Sequence, residues 1–517
     1  MNLTKTVSAI SVMTGLSRIF GMVREVLMAY VLGAGAMADA FVVAFRLPNL
    51  FRKFLAEGAF NSAFVPLFAA SLSNKGEKEA KNLACSVFSV MFWVLLIFVL
   101  LMEVITPFVI YVLAPGFKNT PERFLLTINF TRITFPYLLF ISLAALCAGV
   151  LNTLNKFATA AATPILLNIC MISSLASYSY FKVDPGYALC YGVAVAGVVQ
   201  FLWLYFACKK AGMDLSLKRP KLTPEVKELL KLMVPGIIGA SVIQLNVMID
   251  SQLASFLPQG SVSFLSYADR LNQLPLGVFG IAVSTAMLPI LSRLVQTKDF
   301  KGAVDAQNKA IDLSLKLTLP CMVVLVLLAM PLISMLYGHG KFGAHEVEQT
   351  ANALAAYAVG LPAYVLSKVL SNTFFAHKDT KTPVKLAFVA VFVNILGSLI
   401  FMKFFNHVGL ALATALASWV NALLLCYNLS KKGYLQLYSK TLQQGVRLML
   451  ACVGMGACLF FLKDYCMPGL SSHKLVDMAR LMGVLGVTGL IFLAFGRALG
   501  LFSFKRVIKI IGLSKAV

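Results

Sequence analysis

Apolar runs of about 20 residues or more recur along most of this chain, and they leave few folds open to it. Fourteen can be delimited, at 7–32, 37–70, 83–113, 124–153, 158–181, 187–208, 227–256, 263–292, 304–337, 347–376, 383–404, 408–430, 441–462 and 475–500. A helix of that length, rising ~1.5 Å per residue, crosses a hydrocarbon core ~30 Å thick while pairing its own backbone polar groups. The runs are continuous rather than alternating, which excludes a porin-type barrel. The expected fold is therefore an all-α polytopic membrane protein of fourteen transmembrane helices. Composition agrees: 59% of residues are hydrophobic and 13% charged, against about 25% charged in a typical soluble domain. Several runs exceed what a crossing needs, so tilt, protrusion or kinks at Pro48, Pro136 and Pro275 are expected.

The net charge of +24 would suggest a nucleic-acid partner in a soluble chain. In a membrane protein, Lys and Arg gather instead in cytoplasmic loops, and no nucleic-acid partner is expected. With the N-terminus placed in the cytoplasm, and residues near span ends counted with the adjoining connection, twenty-seven basic residues fall to the tails and even-numbered connections, and seven to the odd-numbered ones. Both termini are therefore expected inside. Removing or adding one helix would scramble this alternation. Arg18 and Arg24 interrupt the first run, which reads as a retained helix rather than a signal peptide. The ten cysteines lie mostly in apolar runs without a CxxC pair, so neither a disulfide framework nor a zinc site is expected. The histidines sit in connections or at span ends and suggest no metal.

An internal repeat is visible. AFNSAFVPLFAAS (Ala59–Ser71) resembles AVSTAMLPILSRL (Ala282–Leu294), and LNTLNKFATAAATP (Leu151–Pro164) resembles SNTFFAHKDTKTP (Ser371–Pro383). An interval of six helices restores orientation. The expected organisation is an N-lobe at 1–210, a C-lobe at 211–440, and two further helices with a basic cytoplasmic tail at 441–517. Two parallel six-helix lobes around a central site are a transporter architecture. No connection is long enough for a soluble catalytic domain, and no P-loop, HExxH or GxSxG pattern supports ATP-driven or hydrolytic chemistry.

Eleven basic residues remain in the span interiors, and five of them, Arg18, Arg24, Arg46, Arg52 and Lys53, lie in the first helical hairpin with Glu25, Asp39 and Glu57. A charge at membrane depth costs at least about 2.5–3.5 kcal/mol. With the hairpin tip at Gly33–Met37, Arg24 and Arg46 share one depth, and Arg18 and Arg52 a deeper one. Asp39, Arg46, Lys53 and Glu57 fall on one stripe with Asn49 beside it, and Ser17 shares a face with Arg24. Structural ion pairs (Arg24 with Asp39, Arg18 with Glu25) are the plain alternative, but they leave cations over in low dielectric. A hydrated electropositive cavity for an anionic substrate accounts for the cluster better, because guanidinium forks grip phosphate and carboxylate bidentately. Arg270, beside Asp269, is expected to add a cation from the second lobe. Lys368 lies near the depth of Glu57 and could close a gate with it, or simply snorkel. Asp250 is a candidate site for Na⁺ or H⁺.

These segments resemble a known family. MTGLSRIFGMVRE, ADAFVVAFRLPNLFRKFLAEGAFNSAFVP, APGF, RITFPY, SYADRLNQLP, LYGHGKF and KDTKTPVK are similar to the MurJ/MviN lipid II flippases, within the multidrug/oligosaccharidyl-lipid/polysaccharide exporter superfamily. The resemblance implies a bacterial inner-membrane transporter, not an enzyme, serving peptidoglycan biosynthesis, cell wall biogenesis and cell shape. It would move undecaprenyl-diphosphate-linked disaccharide-pentapeptide from the cytoplasmic to the periplasmic leaflet by alternating access, as a monomer among membrane lipids. By the matching motifs, Arg18, Arg24, Arg52 and Arg270 are the cavity arginines, with Ser17 and Asn49 beside them. Asp39 is an essential acid, and Glu57 pairs with a basic residue of helix 10, here Lys368. Gln273 stands where some members have Glu. Some members carry a Na⁺ site that Asp250 matches in part. No cofactor is implied beyond coupling to Na⁺, H⁺ or the membrane potential. The competing readings are a multidrug or polysaccharide-lipid exporter of the superfamily, which predicts twelve helices and a cavity acid, and a polytopic glycosyltransferase, which needs a sizeable acidic outer loop. A non-transporting scaffold would not need buried arginines.

Overall fold

The computed structural model describes residues 3–53, 59–462 and 474–501, with side chains except at 3–9, 59, 235–243, 245, 474 and 475. The described residues fold as helices and short connections, grouped in two compact units: Met1–Ser263 with Gly340–Phe342, and Phe264–His339 with Gly343–Val517. The first unit contains α1 (Leu3–Leu32), α2 (Ala36–Arg52), α3 (Ala59–Leu113), α4 (Pro121–Thr134), α5 (Tyr137–Thr153), α6 (Phe157–Ala161), α7 (Thr163–Ser177), α8 (Pro185–Lys210) and α9 (Pro224–Ser255). The boundary falls in the first turn of α10 (Ser261–Pro275). The second unit continues with α11 (Ile281–Gln296), α12 (Phe300–Leu327), α13 (Ala329–Tyr337), α14 (Ala344–Val359), α15 (Leu361–Ala376), α16 (Lys381–Lys431), α17 (Ser439–Leu462) and α18 (Lys474–Ala498).

Ten helical stretches among the described residues are long and apolar enough to cross a membrane. Two of them are too long for one crossing. Phe60–Leu113 and Lys381–Lys431 have 54 and 51 residues, about 80 Å each if straight. Both turn sharply instead, α3 at Gly76 (φ 82°) and α16 at Asn406 (φ 48°). Of the three prolines expected to kink spans, Pro136 separates α4 from α5, and Pro275 ends α10 ahead of a π-helical turn at Leu276–Gly280. Pro48 lies within α2, which continues to Arg52. Bulky apolar side chains such as Ile97, Val104 and Phe108 on α3, or Phe206 on α8, are exposed. Such surfaces are unfavourable in water and suited to lipid.

The core of the first unit is aromatic. Phe60, Phe64 and Phe68, at four-residue steps on α3, stack with ring centroids 5.0 and 5.5 Å apart. Two motifs singled out in the sequence fasten the ends of helices. Gly116 of APGF donates its N–H to Ser255 Oγ at 3.0 Å, and a Cβ there would stand 2.3 Å from the Ser255 carbonyl oxygen. Only glycine permits that approach to the end of α9. In LYGHGKF, Gly340 takes φ 63° and Lys341 donates its N–H to the Tyr30 carbonyl at 2.9 Å, so the strap Gly340–Phe342 sits on the tip of the α1–α2 hairpin. α9, the first helix of the expected C-lobe, packs along α3 within this unit.

In the second unit, α12 packs against α15, α14 and α17, and α17 pairs with α18. Leu315, Leu319 and Val323 of α12 meet Leu448, Met455 and Phe492. The KDTKTPVK motif makes a compact lock between connections: Lys432 Nζ lies 2.6 Å from Asp379 Oδ2, and the Thr382 hydroxyl and N–H donate to the same carboxylate at 2.6 and 3.0 Å. Desolvation acts to raise the Asp379 carboxyl, but Lys432 and Thr382 outweigh it and hold it well below the usual carboxylate range.

Candidate functional site

The charges of the first hairpin are sorted by the structure into two groups, one along the helices and one at the tip. Arg24, on α1, is buried. Its guanidinium forms an ion pair with Glu25, the next residue, and donates from Nη1 to Asn168 Oδ1 of α7 at 3.0 Å, with Met171 Sδ at 3.8 Å. Asn168 in turn donates to the Ser17 carbonyl at 3.1 Å. The face shared by Ser17 and Arg24 thus rests on α7. The pairings offered as the plain alternative do not form: Arg24 meets Glu25, and Asp39 meets another cation.

Arg18, one and a half turns deeper, is exposed and has no hydrogen bond or ion pair among the described residues. Arg52, half-buried on α2, donates from Nε to Asn49 Oδ1 at 3.2 Å, while Asn49 donates to the Phe45 carbonyl at 3.0 Å. Arg46 is half-buried and Lys53 exposed, and both have further contacts. Glu57 lies outside the described residues. Arginines therefore stand on both arms of the hairpin, and Arg24 is neutralised by its own neighbour.

At the tip, Asp39 is fully buried. Its carboxylate lies 2.7 Å from Arg123 Nη2 of α4. It also accepts the N–H groups of Gly260 and Ser263 at 2.7 and 2.8 Å and the Ser263 hydroxyl at 2.6 Å. An acid there caps the N-terminus of α10 and meets its partial positive charge. Arg123 lies over the Phe117 ring at 3.7 Å. Asp39 is thus the hub joining α2, α4 and the start of α10. Sequence reasoning placed Arg123 among outer connections; its level, just inside α4 and matching Asp39 just inside α2, was the signal for the pair. Asn168 was also missed, although an amide in the apolar run PILLNICM needs a partner.

In the second unit, Arg270 is exposed on α10 and Asp269 half-buried, and both have further contacts. Gln273 donates to Asp269 Oδ1 at 3.3 Å. Lys368 is exposed on α15. In the first unit, Asp250 of α9 accepts from Asn246 at 3.4 Å.

Comparison with known proteins fits this geometry. A family model described as lipid II flippase MurJ matches residues 28–478. The probable lipid II flippase MurJ of Rhizobium tropici is 41% identical over 498 residues, covering 96% of this chain and 93% of that relative. The lipid II flippase MurJ of Burkholderia cenocepacia is 38% identical over 440 residues, covering 84% and 85%. A solved lipid II flippase MurJ in an inward closed conformation superposes with a TM-score of 0.78 at 29% identity, covering 95% of this chain and 99% of that one. An inward-facing multidrug MATE transporter of the MOP superfamily shares the fold alone, with a TM-score of 0.69 at 13% identity over 81% of this chain and 94% of that one.

Proposed function

The chain belongs to the lipid II flippase MurJ family, and from that premise we propose that its first hairpin receives the diphosphate of lipid II on an arginine-lined wall. It is a multi-pass membrane transporter whose substrate is lipid II. The molecule carried is undecaprenyl-diphosphate-linked disaccharide-pentapeptide, whose headgroup passes from the cytoplasmic to the periplasmic leaflet of the inner membrane without covalent chemistry. The chain crosses fourteen times with both termini inside, a count that the sharp turns at Gly76 and Asn406 support. The lobes 1–210 and 211–440 rock in alternating access, helices 13 and 14 at 441–517 flank the prenyl chain, and the carrier acts as a monomer.

The observation that carries this reading is Arg18, an exposed guanidinium in the first apolar run of the sequence, without a protein partner among the described residues. An isolated cation there is costly unless water or an anion meets it. Arg52, held by Asn49, lies at the same level, so two forks can grip one diphosphate. Arg24 and Arg270, with Ser17 and Asn49, complete the binding set. Asp39 is the essential acid because it ties α2 to Arg123 and to the backbone at Gly260 and Ser263. Glu57 and Lys368 are the candidate gate residues, and Asp250 is the candidate coupling-ion residue. The membrane potential, worth about 2.3 kcal/mol per charge per 100 mV, or Na⁺ resets the carrier.

The test is reconstitution in liposomes with fluorescent lipid II and a membrane-impermeant quencher. Native protein is expected to exchange lipid II between leaflets, with Arg18→Ala and Arg52→Ala each slowing it about tenfold or more, as loss of a charge-assisted hydrogen bond implies. Unchanged exchange in both variants would sink the arginine wall while leaving the family assignment intact.

A further inference from the structure

We propose that Asn168 is a positioning residue for lipid II binding: it fixes the Arg24 guanidinium against α7 and so sets where that cation meets the substrate anion. The inference rests on the reading of Arg24 as a substrate cation. Asn168 is buried, and both ends of its amide are spent on α1, the oxygen accepting from Arg24 Nη1 at 3.0 Å and the nitrogen donating to the Ser17 carbonyl at 3.1 Å. Those two α1 residues are seven apart, which brings them to one face two turns from each other. Gly21 lies between them and faces the Asn168 amide, a Cβ there standing at the ordinary contact distance of 3.7 Å from its nitrogen.

The chemistry of the holder matters. Glu25 neutralises Arg24, and a second carboxylate at position 168 would compete with the incoming phosphate. An amide carbonyl gives the fork a fixed anchor without cancelling its charge. Arg24 Nε is buried and has no hydrogen-bond partner among the described residues, so one donor of the fork stays unspent. When the diphosphate exchanges with Glu25, Asn168 keeps Nη1 in place while the rest of the fork turns to the anion.

A double-mutant cycle on the full-length protein in detergent, reading lipid II affinity, tests this. Asn168→Leu keeps the volume and removes both hydrogen bonds; Arg24→Ala removes the cation. Asn168→Leu is expected to weaken lipid II about tenfold, the worth of a hydrogen bond to a charged group, and to cost nothing further in the Arg24→Ala background. An equal loss in both backgrounds, or no loss from Asn168→Leu alone, overturns the positioning role. Native affinity in Arg24→Ala overturns the underlying reading of Arg24 and this inference with it. If Asn168→Leu does not fold, Asn168→Ala runs the same cycle.

Discussion

Asp39 shows how a single buried side chain can hold several segments together. Its carboxylate pairs with Arg123 and accepts from two backbone N–H groups and a hydroxyl, all out of solvent. Asp39→Asn leaves the Arg123 guanidinium without its counter-charge, and removing one partner of a buried pair costs about 3–5 kcal/mol. That loss is expected in equilibrium unfolding in mixed micelles, and Arg123→Gln should match it. The double variant should lose less than the sum of the two, because both act on one pair. Arg18→Ala, at an exposed position, should leave the unfolding curve where it was. Asp39 itself was legible in the sequence as a charge at depth. Its partner was not, since hydropathy assigns Arg123 to a connection and says nothing of which loop faces which helix tip. Arg24 was legible as a cation but not as one already neutralised, because the choice between Glu25 and Asp39 depends on rotamers that spacing does not fix. A second residue-scale prediction concerns acid. The Asp379 carboxyl is held low, so the stability it lends is complete above the ordinary carboxylate value of ~3.9 and is lost as pH falls through its depressed native value. Asp379→Asn should therefore be less stable than native protein at neutral pH and approach it in strong acid, as thermal unfolding against pH would show. Unequal stability persisting into strong acid would contradict the assignment.

Among the elements, what the sequence revealed best was periodic and what it concealed was contact. The kink at Pro136 follows from its missing donor, and the breaks at Gly76 and Asn406 sit where the charge pattern expected connections. Continuous helices through two such connections were not legible, because short polar loops and sharp helical turns share one composition. Docking of APGF on α9 was likewise hidden: the motif announces a turn, but not that the turn lies against Ser255. Gly116→Ala brings a methyl to 2.3 Å from a carbonyl oxygen. It should destabilise the protein by about 1–3 kcal/mol, as crowding in a packed interior does. Gly486→Ala, in α18 with nothing within 4 Å of the added Cβ, should instead raise stability by about 0.5–1 kcal/mol through helix propensity. Thermal unfolding of the two variants side by side checks both signs.

For the whole molecule, charge bias gives a topology that labelling can read. Cysteines placed at Lys118 and Lys182 should react with a membrane-impermeant maleimide from the periplasmic side, and those at Lys78 and Lys218 only after permeabilisation. Reversal at any one position would break the fourteen-crossing count. Membership of the lipid II flippase family was legible in the helix 2 motif, whereas composition and spacing alone gave only a transporter for an anion. The central claim is that arginines of the hairpin and of α10 carry the diphosphate through the protein. The most direct measurement is lipid II exposed on the outer leaflet of cells depleted of this protein and supplied with either the native chain or the Arg18→Ala, Arg52→Ala, Arg270→Ala triple variant at equal membrane abundance. Depletion should abolish exposure, the native chain should restore it, and the triple variant should not. Full exposure in cells carrying only the triple variant would contradict the account.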